Sequence, residues 1–182
     1  MLFRSPIGFK NGTDGSALTA VNAMEAAARP HHFLGISQRG NAAIVSTTGN
    51  PDGHLVLRGG KDGSNYHLEA VEAAAAQLAA GGLPARLMVD CSHGNSNKDY
   101  RRQGEVLRAV AGQVRSGSVH VMGVMLESHL VEGNQKIPSD LSQLTYGQSV
   151  TDACINLSTT LELLEELAAA VAEARQEQLA VA

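Results

Sequence analysis

The sequence contains few aromatic residues: they make up 3% of its 182 residues, and tryptophan is absent. A core built from this composition has to be formed by Ala, Val, Leu and Met, and at 43% hydrophobic residues the chain can fill one. Cysteine is scarce as well, and Cys91 and Cys154 alone do not make a disulfide framework. A reducing, cytoplasmic compartment is therefore expected.

Positive charge and long apolar runs are also missing. The formal net charge of −4 does not give the basic surface that nucleic-acid binding requires. No apolar run approaches the roughly 20 residues that cross a bilayer, and the N-terminus carries no signal-peptide pattern. These absences disfavour nucleic acid and membrane as partners.

Strand-like and helix-like segments alternate along the chain, without repeats or linkers, which predicts a single domain over residues 1–182. Strands are expected at residues 6–10, 54–58, 86–91 and 119–127, and a β-hairpin at 32–37 and 42–47. Helices are expected at 16–29, 67–80 and 98–115, with a polar loop from 128 to 149. The last helix is predicted to open at Thr159-Thr-Leu-Glu162, a capping-box pattern, with Leu161 and Leu164 facing inward.

Nearly continuous apolar strands that alternate with helices are typical of an α/β fold with a parallel sheet. Polar heads at the C-terminal ends of several strands are typical of a (β/α)8 TIM barrel. A complete barrel needs about 250 residues. This chain offers only about four βα units plus the hairpin.

The segment Val89-Asp-Cys-Ser-His93 ends an apolar strand in titratable groups, which are costly to bury unless they are paired or bind a metal. His93 is the first candidate ligand, although a loop histidine satisfied by hydrogen bonds is its alternative. Glu127, at the end of another strand, is either a second ligand or an exposed strand terminus. Asp152 is either a helix N-cap or a third ligand. One imidazole and two carboxylates suit Mn²⁺ or Fe²⁺, and Zn²⁺ is also compatible.

Two cations end the other strands beside glycine-rich turns. Lys10 precedes Asn11-Gly-Thr-Asp-Gly15, and Arg58 precedes Gly59-Gly60. Such a pair can bind a phosphate or carboxylate, whereas the alternative is two solvated surface charges. Cys91 would share a strand face with His93, but a small buried thiol is the preferred interpretation, and Cys154 is assigned to packing.

Five segments together resemble class I 3-deoxy-D-arabino-heptulosonate 7-phosphate (DAHP) synthase, also called 3-deoxy-7-phosphoheptulonate synthase. They are Pro6-Ile-Gly-Phe-Lys-Asn-Gly-Thr-Asp-Gly15, Leu57-Arg-Gly-Gly60, Val89-Asp-Cys-Ser-His-Gly-Asn-Ser96, Gly123-Val-Met-Leu-Glu-Ser-His-Leu-Val-Glu-Gly-Asn-Gln135 and Thr151-Asp-Ala-Cys-Ile155. The resemblance runs along nearly the whole chain, in order, and corresponds to the C-terminal half of the family's barrel. It implies a transferase of the shikimate pathway that condenses phosphoenolpyruvate with erythrose 4-phosphate.

By position, the resemblance implies that His93, Glu127 and Asp152 bind a divalent metal (Mn²⁺, Fe²⁺, Co²⁺ or Zn²⁺). Lys10 and Arg58 match residues that bind phosphoenolpyruvate, so that Lys10, Arg58 and His93 are the expected catalytic residues. The hairpin over 32–47 matches a region that forms an aromatic amino-acid feedback site in many members. Assembly as a homo-oligomer, or with an N-terminal half, is expected.

The family's fourth ligand, a cysteine on its first strand, and its Lys-Pro-Arg-Thr segment have no counterpart in this sequence. Cys91 matches a different position and does not replace that ligand. The main alternative is therefore a non-catalytic half-barrel that binds metal or phosphate, or that assembles with a separate N-terminal half. An unrelated metal-dependent aldolase is the remaining alternative.

Overall fold

A computed structural model describes residues 5–181, with side chains as far as residue 179. In chain order the elements are β1 (Ile7–Lys10), α1 (Leu18–Ala28), β2 (His31–Ile36), β3 (Ala42–Thr47), β4 (Gly53–Leu57), α2 (Leu68–Ala80), β5 (Leu87–Asp90), α3 (Gln103–Arg115), β6 (Val121–Met125), β7 (Val131–Asn134), β8 (Gln148–Ser149) and α4 (Leu157–Val181). Short 3₁₀ turns cover Tyr100–Arg102 and Leu141–Gln143.

Four parallel strands form the main sheet, in the order β1–β4–β5–β6. Each strand is connected to the next by a helix, as the alternating pattern predicts. The expected α/β class with a parallel sheet is thereby confirmed. Because the strands run in one direction, their C-terminal ends meet at one edge of the sheet.

The core lies between the inner strands and helices α1, α2 and α3. Leu55 and Leu57 of β4 and Leu87 and Val89 of β5 lie two residues apart on their strands, so each pair is on one face of the sheet, and all four side chains are buried in the main core cluster. The larger helix side chains in the same cluster are Val21, Met24, Val71, Leu78, Val106, Leu107, Val110 and, from α4, Leu163. With each buried aliphatic side chain contributing about 1.5–3 kcal/mol, this layer holds the two inner strands in place.

The hairpin is confirmed as β2 and β3, which pair antiparallel from His31 with Thr47 to Ile36 with Ala42. Its large apolar side chains are exposed: Phe33, Leu34, Ile36 and Ile44. The expected helix over 98–115 is interrupted, because Lys98 has a φ of 60° and a 3₁₀ turn precedes α3. The expected polar loop over 128–149 contains the paired strands β7 and β8.

Two predictions about the last helix are wrong. Asn156 rather than Thr159 caps α4, since the Thr159 backbone N–H donates to Asn156 Oδ1 at 2.9 Å. Leu161 and Leu164 are 54% and 45% exposed, whereas Leu163 is buried. Two exposed ion pairs also link α4 to α3: Arg108 donates to both Glu166 oxygens, and Arg115 pairs with Glu173. No helix in the described range is both long and apolar enough to cross a membrane.

Candidate metal and anion site

Each strand of the main sheet contributes one predicted site residue at the same edge. Lys10 ends β1, Arg58 directly follows β4, and His93 and Glu127 lie just beyond β5 and β6. Asp152 reaches the same edge from the segment between β8 and α4. The sheet therefore gathers polar groups that are far apart in the sequence.

His93, Glu127 and Asp152 form a cluster in which three potential ligand atoms lie within 4.8 Å of one another. His93 Nε2 is 3.5 Å from Glu127 Oε1, and these side chains are only 20% and 22% exposed. Glu127 is thus not an exposed strand terminus. The N-cap interpretation of Asp152 is also wrong, because Asn156 occupies that position.

The donor set of this cluster fits a divalent cation. One imidazole nitrogen and two carboxylates are ligands that Mn²⁺, Fe²⁺ and Zn²⁺ accept. His93 Nδ1 is buried and lies 2.9 Å from Asp90 Oδ2, but this contact lacks the direction of a hydrogen bond, so Nδ1 has no hydrogen-bond partner among the described residues. Its other nitrogen, Nε2, faces Glu127.

The loop that carries His93 is strained and is fastened to the preceding loop. His93, Asn97 and Lys98 have φ values of 51°, 54° and 60°, a region that costs a side-chain-bearing residue about 1–3 kcal/mol. The Arg58 carbonyl accepts hydrogen bonds from the backbone N–H groups of Gly94 and Asn95, at 2.9 and 3.2 Å. These bonds hold the strained conformation and link the positions of Arg58 and His93.

Glycines allow the loops to approach this closely. A Cβ on Gly60 would lie 2.3 Å from Gly15 N, and one on Gly94 would lie 2.8 Å from the Gly59 carbonyl carbon. Neither distance is compatible with a side chain. The backbones after β1, β4 and β5 therefore touch directly, which only glycine permits.

Three asparagines that sequence analysis did not identify fix these loops. Asn11 Oδ1 accepts from Arg58 N at 2.7 Å, and its Nδ2 donates to Gly59 O at 3.0 Å. Asn95 Nδ2 donates to the carbonyls that end β4 and β5, while Asn65 joins Asn11 to Asn95. Asn11 and Asn95 are buried, so their full hydrogen bonding is required. These hydrogen bonds fix the backbone of Arg58 and involve no atom of its guanidinium group.

Glu127 is positioned from two sides. Ser92 Oγ donates to Glu127 Oε2 at 2.9 Å. Gln103, the buried first residue of α3, accepts from Glu127 N at 2.8 Å and donates to Glu127 O at 3.0 Å. Nothing in the sequence distinguishes Gln103 from an ordinary polar residue at a helix start.

Asp90 is a further residue to which the sequence pattern assigned no role. Its side chain is fully buried, and Oδ1 accepts from Ser92 N at 2.9 Å. Oδ2 accepts from Lys10 Nζ at 2.8 Å and lies 2.9 Å from His93 Nδ1. Lys10 is therefore a partly exposed cation that is paired with a buried carboxylate.

A cleft of about 640 Å³ opens beside Arg58 and is lined by Arg58, Lys61, Lys98 and Arg102 but by no Asp or Glu. Arg102 pairs with Glu105, whereas the other three cations form no ion pair among the described residues. Uncompensated cations beside a glycine-rich backbone are suited to an anionic ligand such as a phosphate.

The two cysteines are free thiols in buried positions, as expected. Burial, with a smaller contribution from the neighbouring Asp90 carboxylate, raises the pKa of the Cys91 thiol to about 12. Cys91 therefore remains protonated at neutral pH and is a packing residue, as is Cys154, whose pKa burial also raises.

Comparisons with known proteins agree with one another. The model of the DAHP synthetase I family matches residues 3–165. The chain is 53% identical, over 162 residues, to Tyr-sensitive phospho-2-dehydro-3-deoxyheptonate aldolases of Enterobacter agglomerans and Escherichia coli (strain K12). A solved structure of phospho-2-dehydro-3-deoxyheptonate aldolase from Francisella tularensis SCHU S4 matches with a TM-score of 0.87 and 45% identity, over 93% of this chain.

The matched segment includes 89% of this chain in both relatives, but it spans 76% of the Enterobacter protein and 45% of the Escherichia coli protein. It spans 49% of the Francisella chain. The chain thus covers about half the length of the Escherichia coli relative and of the solved structure.

Proposed function

The chain belongs to the DAHP synthetase I family, and we propose that its site serves the reaction of 3-deoxy-7-phosphoheptulonate synthases. In that reaction phosphoenolpyruvate, erythrose 4-phosphate and one water molecule give DAHP and inorganic phosphate, the first step of aromatic amino-acid biosynthesis. The observation that carries the proposal is the meeting of a metal-ligand cluster with Lys10 and Arg58 at one sheet edge.

Each proposed site residue has a chemical role that fits its surroundings. A divalent ion held by His93, Glu127 and Asp152 would supply Lewis acidity toward the aldehyde oxygen of erythrose 4-phosphate. Lys10 and Arg58 would bind the carboxylate and phosphate of phosphoenolpyruvate and neutralise their charge. Held in this way, phosphoenolpyruvate has its C3 atom oriented for attack on the aldehyde carbon.

We further propose that the single domain of residues 1–182 is the C-terminal half of a (β/α)8 barrel. Four parallel strands with their helices, and coverage of about half of the Francisella chain, support this architecture. In the described residues, β1 and β6 each pair with a single strand of the sheet, so both could accept a further one. A complementing N-terminal half would also bring the family's cysteine ligand and Lys-Pro-Arg-Thr segment.

The same proposal covers regulation and location. The exposed apolar face of the β2–β3 hairpin is assigned to an aromatic amino-acid effector site, supported by the name "Tyr-sensitive" that two relatives carry. A cytoplasmic location accords with the free thiols of Cys91 and Cys154.

DAHP formation tests the proposal. The purified chain should produce little or no DAHP from the two substrates with Mn²⁺, and it should gain activity when mixed with the separately expressed N-terminal half of the Escherichia coli relative. His93→Ala should abolish the gain, whereas His120→Ala, which removes an imidazole bonded to Ala85 O, should not. If the mixture is inactive although the chain binds Mn²⁺, the catalytic proposal is wrong and the non-catalytic alternative holds. Full activity of the chain alone would refute the half-barrel proposal.

A further inference from the structure

One oxygen of Asp90 connects the two parts of the site. Asp90 Oδ2 lies 2.8 Å from the ammonium of Lys10 and 2.9 Å from Nδ1 of His93, and the carboxylate is fully buried. Its other oxygen is occupied by the Ser92 backbone N–H. A single buried charge therefore faces both the proposed anion-binding cation and the proposed metal ligand.

We propose that Asp90 is a positioning residue that sets the balance between metal binding and anion binding. Its carboxylate strengthens the metal site through His93 and weakens the anion site through Lys10. The proposal rests on the proposed function, because that function assigns His93 to the metal and Lys10 to phosphoenolpyruvate.

On the metal side, a histidine that binds a metal through one ring nitrogen usually donates the N–H of the other to a carboxylate or carbonyl. Asp90 Oδ2 is already at hydrogen-bond distance from His93 Nδ1, while Nε2 faces Glu127. The contact lacks hydrogen-bond direction, which leaves Nδ1 as a buried atom with no partner. Asp90 is the acceptor within reach of Nδ1, and a rotation of the ring would complete the hydrogen bond.

On the anion side, Asp90 partly cancels the charge that an anion would seek. The Lys10 side chain is 34% exposed, so its ammonium is accessible while one of its three donors is used by Asp90. A carboxylate at this distance also repels an incoming phosphate or carboxylate. Asp90 therefore orients the Lys10 ammonium but weakens the attraction of Lys10 for an anionic substrate.

Removing the charge but keeping the shape should change the two affinities in opposite directions. Asp90→Asn retains an oxygen that can accept from Ser92 N, but it places no negative charge beside His93 and Lys10. Mn²⁺ binding should weaken by about 10–100-fold, the usual cost of losing such a partner of a ligating histidine. Phosphoenolpyruvate binding without metal should tighten by about fivefold, the effect of one unit charge some 4 Å away in water. A merely structural role would weaken both.

The experiment uses the full 182-residue chain. Free Mn²⁺ is followed by electron paramagnetic resonance, and phosphoenolpyruvate binding to metal-free protein is followed by isothermal titration calorimetry. Asp52→Asn is the matched control, because Asp52 is exposed and precedes β4 at the opposite end of the sheet. It should change neither affinity, and far-UV circular dichroism should show that every variant is folded.

Lys10→Met provides an independent test that does not depend on the folding of Asp90→Asn. With Lys10 removed, Asp90 Oδ2 faces only His93, so Mn²⁺ should bind at least as tightly as to the wild type. Weaker Mn²⁺ binding to Lys10→Met would overturn the inference, as would parallel changes, or no change, in Asp90→Asn. If the wild-type chain binds neither probe, the proposed function fails and the inference with it. If the wild type binds both probes but the variants do not behave as expected, the inference about Asp90 fails while the proposed function stands.

Discussion

Gln103→Leu should destabilise the chain and weaken its metal site, although Gln103 touches no proposed ligand atom. The buried side chain bonds both backbone groups of Glu127, accepting from the N–H at 2.8 Å and donating to the carbonyl at 3.0 Å. Leucine has a similar volume and fills the same space without either bond. The substitution therefore isolates the hydrogen bonds from the packing.

The two lost bonds differ in cost. The Glu127 carbonyl still accepts a hydrogen bond from Ile155 N at 3.0 Å, so the loss of the bond from Gln103 to this carbonyl is largely compensated. The Glu127 N–H loses its acceptor in a partly buried position, which costs about 1–3 kcal/mol of unfolding free energy. For a chain of this size, that loss lowers Tm by about 2–12 °C. The released backbone also lets the Glu127 carboxylate move, so Mn²⁺ affinity should fall about tenfold.

Urea unfolding followed by circular dichroism gives the stability, and Mn²⁺ titration gives the affinity. Gln113→Leu is the matched control. Gln113 lies on the same helix and donates one hydrogen bond to Tyr66 O at 2.7 Å, while its Oε1 atom has no partner in residues 5–181. It should cost less stability and leave Mn²⁺ affinity unchanged. Equal losses in the two variants, or an unchanged Mn²⁺ affinity in Gln103→Leu, would refute the reasoning.

Two other predictions concern the thiol and the glycines. In the folded chain burial raises the pKa of Cys91 to about 12, so the folded state favours the neutral thiol. This contribution to the free energy of unfolding is complete below the ordinary thiol pKa near 8.5 and is lost as the pH rises toward 12. In that pH range the free energy of unfolding of the wild type should therefore fall more steeply than that of Cys91→Ala, by about 1.4 kcal/mol per pH unit. Equal slopes for the two proteins would contradict the burial effect. Gly60→Ala should cost about 1–3 kcal/mol, since its Cβ would lie 2.3 Å from Gly15 N. Gly112→Ala, whose Cβ would lie in open space within α3, should stabilise the chain by about 1 kcal/mol. Thermal unfolding measures the stability of both glycine variants. An unchanged stability of Gly60→Ala would show that the loops can separate.

The strand-end residues could be predicted from sequence because each depends on local pattern alone. An apolar run that ends in Lys10, Arg58 or Glu127 identifies a strand with a polar residue at its C-terminal end. Parallel pairing of the strands then brings these polar residues to one edge of the sheet. Asp90 and Gln103 could not be assigned in the same way. Their roles depend on partners 80 and 24 positions away, which no periodicity encodes.

The register of α4 was mispredicted for a related reason. Leu161, Leu163, Leu164 and Leu167 lie on different sides of a helix, so the apolar pattern permits more than one inward face. The capping pattern at Thr159 favoured one of them. Burial selects the face with Leu163 and Ala170, and Asn156 supplies the cap.

The strand order β1–β4–β5–β6 also determines how the site responds to local opening. In the described part of the chain β4 and β5 have neighbours on both sides, whereas β1 and β6 each lie at an edge, so the edges open at lower free energy and their amides exchange with deuterium sooner. Lys10 and Glu127 adjoin edge strands, while Arg58 and His93 adjoin inner ones. An opened edge thus loses an ammonium or a carboxylate while the guanidinium and imidazole stay in place. A metal ion that joins Glu127 to His93 would hold an edge strand to an inner one, and amide exchange in β6 would slow more than in β5.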